Sequence, residues 1–149
     1  MNILEQIAAQ TRERIEAEKR QTPTEELIRQ IKATEQKKSK QSFYEALKKP
    51  GMSYICEVKK ASPSKGLIAS DFPYLDIARE YEAAGASAIS CLTEPFRFLG
   101  KDAYLQEIAA QVEIPVLRKD FTVDEYMIYQ ACLLGASAVL LICAILDDA

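Results

Sequence analysis

The 149-residue sequence contains no histidine and only four cysteines, and these two shortages exclude several kinds of site. Without histidine, any acid–base chemistry must use lysine, glutamate, aspartate or tyrosine, with pKa values set by their surroundings. The cysteines are far apart and form no Cys-x-x-Cys pair, so the sequence predicts no zinc site and no other metal site. All four lie in apolar segments, which predicts buried free thiols in a reducing cytoplasm: Cys56, Cys91, Cys132 and Cys143.

Long apolar runs and a strong excess of one charge are also missing. No stretch reaches about 18 uninterrupted apolar residues, and residues 1–20 lack the apolar centre of a signal peptide, so we expect no membrane association. The net charge of −3 gives no reason to expect nucleic-acid binding. With 48% apolar and 28% charged residues, the chain has the composition of a globular protein with a sizeable core.

The first third of the sequence has the periodicity of helices. Apolar residues at helical spacing over 2–20 predict a first helix. Thr22, which precedes a proline, predicts the N-cap of a second helix, and Ser42 and Glu45 have the capping-box spacing of a third. We therefore expect an N-terminal helical extension over residues 1–51.

From residue 52 onward, strand and helix patterns alternate with short connections, as parallel β/α units require. Gly85 and Gly135 open matching Gly-Ala-Ser-Ala segments, and each is expected to end a helix in the left-handed conformation. The repeated joint favours a β/α barrel, although a doubly wound sheet would share it. The expected strands are 53–59, 87–92, 114–119 and 137–143, and the expected helices are 74–84, 101–112, 123–134 and one beginning at 145.

Charge appears at the end of the first of these strands, where a buried strand should be apolar. Glu57 and Lys59 are two residues apart, so their side chains share a strand face. A carboxylate and an ammonium are costly to bury unless they are paired. A serine-rich turn over 62–66 follows, and this order is typical of an active site at the C-terminal end of a parallel strand. The alternative is an edge strand whose two charges form a weak surface pair.

The third expected strand repeats this design, because the apolar run 114–117 ends in Arg118, Lys119 and Asp120. Two strands with charged C-terminal ends favour a shared catalytic rim. By strand alternation Lys119 faces the rim, whereas Arg118 faces outward and is expected to be structural.

These motifs resemble those of the indole-3-glycerol phosphate synthase family. The pattern Glu-x-Lys-x-x-Ser-Pro-Ser-x-Gly at 57–66 is similar to the first barrel strand of that family. Further similar segments follow in the same order: 88–94 with Phe98 and Gly100, then 115–121, then 135–142. The resemblance implies an α/β fold of the (β/α)8 TIM-barrel type. The chain would then hold the helical extension and, over 52–149, about four strands of an incomplete barrel.

The resemblance also implies an activity. Such enzymes convert 1-(2-carboxyphenylamino)-1-deoxyribulose 5-phosphate by ring closure, decarboxylation and dehydration in tryptophan biosynthesis, without a metal or an organic cofactor. By motif, Lys119 matches the general acid. Lys59 matches a second proton donor that also holds the substrate carboxylate, and Glu57 matches the glutamate that orients both lysines. A lysine suits an acid role only if neighbouring cations or desolvation lower its pKa.

The remaining matched residues are expected to bind the substrate. Ser62 and the backbone around Ser64 and Gly66 match a phosphate-binding loop, for which the alternative is an ordinary polar turn. Phe98 and Phe121 match aromatic positions that line the anthranilate pocket, although a core role is also open for Phe121.

Four strands cannot close an eight-stranded barrel, so we expect an N-terminal half that is inactive alone. In the family, the general base and the main phosphate loops come from later strands. The alternative function is a non-catalytic half-barrel that self-associates or pairs with a C-terminal half through its two open strand edges. Another phosphate-binding barrel, such as the neighbouring isomerase of the pathway, would leave the lysines on two strands unexplained.

Overall fold

A computed structural model describes residues 1–34 and 42–148 of the chain. Three helices come first, and strands and helices alternate after them. The helices are α1 (Ile3–Gln21), α2 (Thr24–Ala33), α3 (Phe43–Lys48), α4 (Tyr74–Ala83), α5 (Asp102–Gln111) and α6 (Tyr126–Leu134). The strands are β1 (Ile55–Val58), β2 (Ala61–Ser62), β3 (Gly66–Leu67), β4 (Ala88–Leu92), β5 (Val116–Lys119) and β6 (Ala138–Val139), and a short 3-10 helix follows at Cys143–Ile145.

The main sheet is parallel and has the strand order β1-β4-β5-β6, with β2 and β3 forming a separate antiparallel hairpin. Consecutive strands of the sheet are joined through α4, α5 and α6 in turn. Because all four strands run in the same direction, their C-terminal ends lie together at one end of the sheet. In the described residues β1 and β6 each pair with a single strand, so the two edges are open, as expected.

One side of the sheet packs against the connecting helices. Its buried cluster joins Val58, Ile89, Cys91 and Val116 of the strands to Ala78, Leu105, Ile108 and Ala109 of the helices and to Val112, just after α5. Cys91 faces the helices. Burial raises the pKa of Cys91 to about 12, so this thiol stays protonated and belongs to the core.

The helices α1 and α2 pack against α6. A second buried cluster contains Ile15 from α1 and Leu27 from α2 together with Tyr126 and Met127 from α6. The Tyr126 hydroxyl donates a hydrogen bond to the carbonyl oxygen of Thr22, at 2.8 Å. The helical N-terminal part is therefore fastened to the β/α part by both apolar packing and polar contacts.

The predicted helix ends are partly confirmed. Gly85 and Gly135 have φ of +95° and +88°, the left-handed conformation expected at the ends of α4 and α6. The Ser42 hydroxyl accepts a hydrogen bond from the amide of Glu45, as its spacing predicts. The prediction for Thr22 is wrong, because its N–H is bonded to Glu18 O at the end of α1 and the residue before α2 is Pro23.

The strand expected at 137–143 is also wrong in its length. Only Ala138–Val139 pairs with β5, and the chain then forms a 3-10 helix at Cys143–Ile145 where strand, and then an α-helix from 145, were expected. An apolar run alone does not fix a strand, because a strand also needs backbone partners. In the described residues β6 has a partner on one side only, and this ladder is short.

Two of the cysteines differ from the prediction of buried thiols. Cys91 is buried and Cys56 is half-buried, but Cys132 and Cys143 are exposed. Cys132 lies on the outward side of α6, and Cys143 begins the 3-10 helix beyond the short strand. Among the described residues, no helix has both the length and the apolarity needed to cross a membrane.

Candidate active site

The charged residues predicted on two separate strands meet at the C-terminal end of the sheet. Glu57 lies in β1 and Lys119 ends β5, and β4 lies between these strands. In the sheet register Glu57 is paired with Ser90 of β4, and Leu92 of β4 is paired with Lys119. The side chains of Glu57 and Lys119 therefore reach across β4 from its two sides.

Glu57 bridges two lysines. Its Oε2 accepts a hydrogen bond from Lys119 Nζ at 2.8 Å, and its Oε1 lies 3.4 Å from Lys59 Nζ. The three side chains are between 28% and 35% exposed, so water and a small ligand have access to them. We call Glu57, Lys59 and Lys119 the charged triad.

The surroundings of the charged triad keep its carboxylate ionised. Burial opposes ionisation of Glu57, but it is outweighed by the hydrogen bond and charge of Lys119, the hydrogen bond from Ser90 and the charge of Lys59. The pKa of Glu57 therefore lies below its ordinary value. The site holds one anion between two cations, an arrangement that can attract a substrate anion and orient two proton donors.

Ser90 is a member of this site that the sequence reasoning did not single out. Its hydroxyl donates a hydrogen bond to Glu57 Oε2 at 3.1 Å. The available signal was a polar residue inside the apolar strand Ala88–Leu92. Its significance depends on the register between β1 and β4, which the sequence does not display.

The predicted phosphate loop is a small hairpin formed by β2 and β3. Ser62 is buried, whereas Ser64 and Gly66 are exposed. The Ser62 hydroxyl lies 3.4 Å from the Ser64 hydroxyl and accepts a hydrogen bond from the amide of Lys65. Gly66 has φ of +63°, which permits the tight return of the chain. The structure brings these residues together with one another, and their hydrogen bonds are made within the hairpin.

The two predicted aromatic residues are neighbours. The rings of Phe98 and Phe121 have their centroids 6.0 Å apart with planes at 41°, and both side chains are half-buried. Phe121 follows β5 by two residues, and Phe98 lies on the loop between β4 and α5. They form a wall of the kind that a flat apolar ligand group can contact.

The loop that carries Phe98 is held by a buried carboxylate. Glu94 is fully buried, and it accepts hydrogen bonds from the amides of Phe96, Arg97 and Phe98 at 2.8–2.9 Å. Gly100 closes the loop so tightly that a Cβ there would lie 2.4 Å from the Leu92 carbonyl oxygen. The position of Phe98 thus depends on Glu94 and Gly100.

Arg118 occupies the opposite side of β5 from Lys119 and is almost fully buried. Its guanidinium donates to Thr93 Oγ1, to Met127 O and Gln130 Oε1 on α6, and to Asp102 Oδ1 at the start of α5. The outward orientation predicted for this residue is confirmed. Arg118 ties β5 to the two helices that pack over it.

An open cleft of about 370 Å³ lies elsewhere, where α1 and α2 meet α6. Its lining includes Glu18, Leu27, Asp102 and Tyr126 and none of the charged triad. In the described part of the chain, the charged triad thus lies at the end of the sheet and outside this cleft between packed helices.

The parallel sheet with its connecting helices places the chain in the α/β class, in which functional residues lie at the C-terminal ends of the strands. The family model for indole-3-glycerol phosphate synthase matches residues 4–149, and the chain belongs to this family. Members of the family fold as TIM barrels, and the four-stranded sheet is about half of such a barrel.

Curated relatives agree with the family. The chain is 54% identical to an indole-3-glycerol phosphate synthase of Ruminiclostridium cellulolyticum, with 97% of the chain and 55% of the relative covered. It is 56% identical to that of Endomicrobium trichonymphae, over 97% of the chain and 56% of the relative. The chain thus spans about half the length of the curated relatives it matches.

Proposed function

We propose that the chain supplies one part of the active site of an indole-3-glycerol phosphate synthase. In that reaction the aromatic carbon of 1-(2-carboxyphenylamino)-1-deoxyribulose 5-phosphate attacks the ribulose carbonyl carbon, and carbon dioxide and water leave. The observation that carries the proposal is the charged triad, in which Glu57 joins a lysine of the β1 end to a lysine of the β5 end.

Each member of the charged triad has a role in this proposal. Lys119 protonates the carbonyl oxygen while the new carbon–carbon bond forms. Lys59 holds the substrate carboxylate and is a second proton donor. Glu57 holds both ammonium groups in place and balances their charge, a role supported by its two contacts and by its lowered pKa.

The substrate-binding residues complete the proposal. Phe98 and Phe121 contact the anthranilate ring, which is supported by their adjacent half-buried rings. The hydroxyl of Ser62 and the backbone around Ser64 and Gly66 contact the phosphate, which is supported by the position of their hairpin directly after β1 and by the exposure of Ser64 and Gly66. We place this activity in the cytoplasm and assign residues 1–51 to a helical extension and 52–149 to the barrel part.

The test is a synthase assay that follows indole fluorescence. The purified chain is assayed alone and with a separately produced second half of a curated relative. We expect no turnover from the chain alone, because its strands form an open rim, and turnover from the combination. Lys119→Met should lower that turnover by about a hundredfold or more, whereas Lys32→Met, on the exposed side of α2, should not change it. An inactive combination, or a fully active Lys119→Met chain, would contradict the proposal.

A second candidate is a non-catalytic half-barrel that associates with a copy of itself. It is favoured by the open edges β1 and β6 and by exposed apolar side chains near them, including Tyr54 at 60%, Ile55 at 47% and Leu141 at 56% exposure. Analytical ultracentrifugation distinguishes the two. A stable dimer that stays inactive and does not dissociate when the second half is added would favour this candidate.

A further inference from the structure

The carboxylate of Asp120, directly after Lys119, is held from several directions. Its side chain is fully buried. Arg14 Nη2 of α1 lies 3.1 Å from both carboxylate oxygens, and Thr93 Oγ1, just after β4, donates to Oδ2 at 2.7 Å. The amide of Phe121 donates to Oδ1, and Arg118 Nη2 lies 3.9 Å from Oδ2. We call these five residues the Asp120 cluster.

The Asp120 cluster lies on the opposite side of the chain from the charged triad. Arg118 and Asp120 are the two neighbours of Lys119, and both are buried by contacts with the helices or with residues of β4 and its end. Successive side chains of an extended segment point to opposite sides. With both neighbours held on one side, Lys119 is directed to the other side, where Glu57 accepts its hydrogen bond.

Arg14 is the member of the cluster that comes from outside the β/α part. It is 106 residues from Asp120 in the sequence, and its side chain is 13% exposed. Its Nε is buried and, among the described residues, has no hydrogen-bond partner, while Nη2 faces both oxygens of Asp120. The contact with Asp120 therefore orients the guanidinium, although this orientation leaves Nε without a hydrogen bond among the described residues.

We propose that Arg14 is a positioning residue, which acts through Asp120 to hold Lys119 against Glu57. The helix α1 then packs against α6 and also supplies a residue that helps to position Lys119. The consequence for catalysis rests on the proposed function, whereas the effect on the contact between Lys119 and Glu57 is independent of it.

The first experiment measures that contact in the full 149-residue chain. NMR follows the side-chain carboxyl carbon of Glu57 through its acid titration. In Arg14→Met the hydrogen bond from Lys119 weakens while the burial of Glu57 remains, so the Glu57 midpoint should move upward. Arg14→Lys keeps a positive charge on α1 near Asp120 but lacks the planar guanidinium, so it should restore the midpoint in part.

Lys19→Met is the matched control. Lys19 also lies on α1, and its Nζ is 2.5 Å from Asp124 Oδ2 on the segment between β5 and α6. This variant removes a basic residue and an ion pair from the same helix without touching Asp120, so it should leave the Glu57 midpoint unchanged. Arg118 still faces Asp120 when Arg14 is replaced, so the Arg14→Met chain should keep its folded circular dichroism spectrum.

Three results would overturn the proposal. They are an unchanged Glu57 midpoint in Arg14→Met, an equal shift in Lys19→Met, and loss of the folded spectrum in Arg14→Met, since the last would mean that Arg14 serves overall stability. The assay with the second half of a relative adds a separate readout. There, Arg14→Met should lower kcat by about tenfold to a hundredfold with little change in KM. A change confined to KM would contradict it, whereas an inactive wild-type combination would contradict the proposed function and leave the NMR result decisive.

Discussion

The two sides of β5 hold charges in very different surroundings. On one side, Arg118 and Asp120 are almost completely buried, and their charges are paired and hydrogen-bonded. On the other side, Lys119 is about one-third exposed and makes a single strong contact with Glu57. Charges of the first kind define the structure, whereas charges of the second kind are close enough to water to exchange partners with a ligand. The difference separates structural from catalytic candidates within three consecutive residues.

The largest expected effect is that of Arg118→Met. The variant removes the buried donors to Thr93 Oγ1, Met127 O and Asp102 Oδ1, while Arg14 still pairs with Asp120. Leaving several buried acceptors without their charged donor costs about 3–5 kcal/mol in total. Urea unfolding should show that loss. Lys119→Met, one residue further on and on the other side, is the matched variant, and it should change the free energy of unfolding by about 1 kcal/mol or less. Equal losses from the two substitutions would remove the distinction between the two sides of β5.

The strand alternation behind this comparison could be predicted from the sequence, but the residues that contact Glu57 and Asp120 from other elements could not. Charged residues after apolar runs placed Glu57 and Lys119 at strand ends, and alternation placed Arg118 on the outer side. Ser90 was not found because its role depends on the register of β1 against β4. Arg14 was not found because the contact joins a helix to a strand end 106 residues away, and no local spacing records it.

The limits of the element predictions have the same cause. The glycines at 85 and 135 were correctly placed, because a left-handed helix end is a local property of one residue. The strand expected at 137–143 was too long, because its extent depends on neighbouring strands. The spacing of Asn2 and Glu5 did carry a local signal that was missed, since these residues form a reciprocal capping box at the start of α1.

The second-largest expected effect on stability is at Glu94, a buried carboxylate that is fully hydrogen-bonded like that of Asp120. Glu94→Gln keeps the size of the side chain but places an NH2 group where backbone amides now donate, so at least one amide loses its acceptor. We expect a loss of about 2 kcal/mol in the free energy of unfolding, measured with urea. Glu113→Gln, at an exposed position, should change it by about 0.5 kcal/mol or less. A mild Glu94→Gln variant would show that the Phe98 loop is held by Gly100 and packing instead.

The smallest expected effect concerns the pH dependence of stability on the exposed side of β5. The pKa of Glu57 is lower in the folded chain, so between that pKa and the ordinary glutamate value of about 4.3 the unfolded chain binds more protons. The stabilisation by Glu57 is therefore complete above the ordinary value and is lost as the pH falls through the folded value. Glu57→Gln should flatten the pH dependence of the urea midpoint in this acid window and leave its slope near pH 7 unchanged.

The groups facing Glu57 make the direction of this change specific. Burial opposes ionisation of Glu57, but the contacts with Lys119, Ser90 and Lys59 outweigh it and lower the pKa of Glu57. Lys119→Met should produce a partial flattening in the same window, because it removes the strongest of the contacts that lower the pKa of Glu57. If Glu57→Gln and the wild type showed parallel curves, Glu57 would have the same proton affinity in the folded and unfolded chains. The Glu57 carboxylate would then bind the two ammonium groups no more strongly than an ordinary surface carboxylate does.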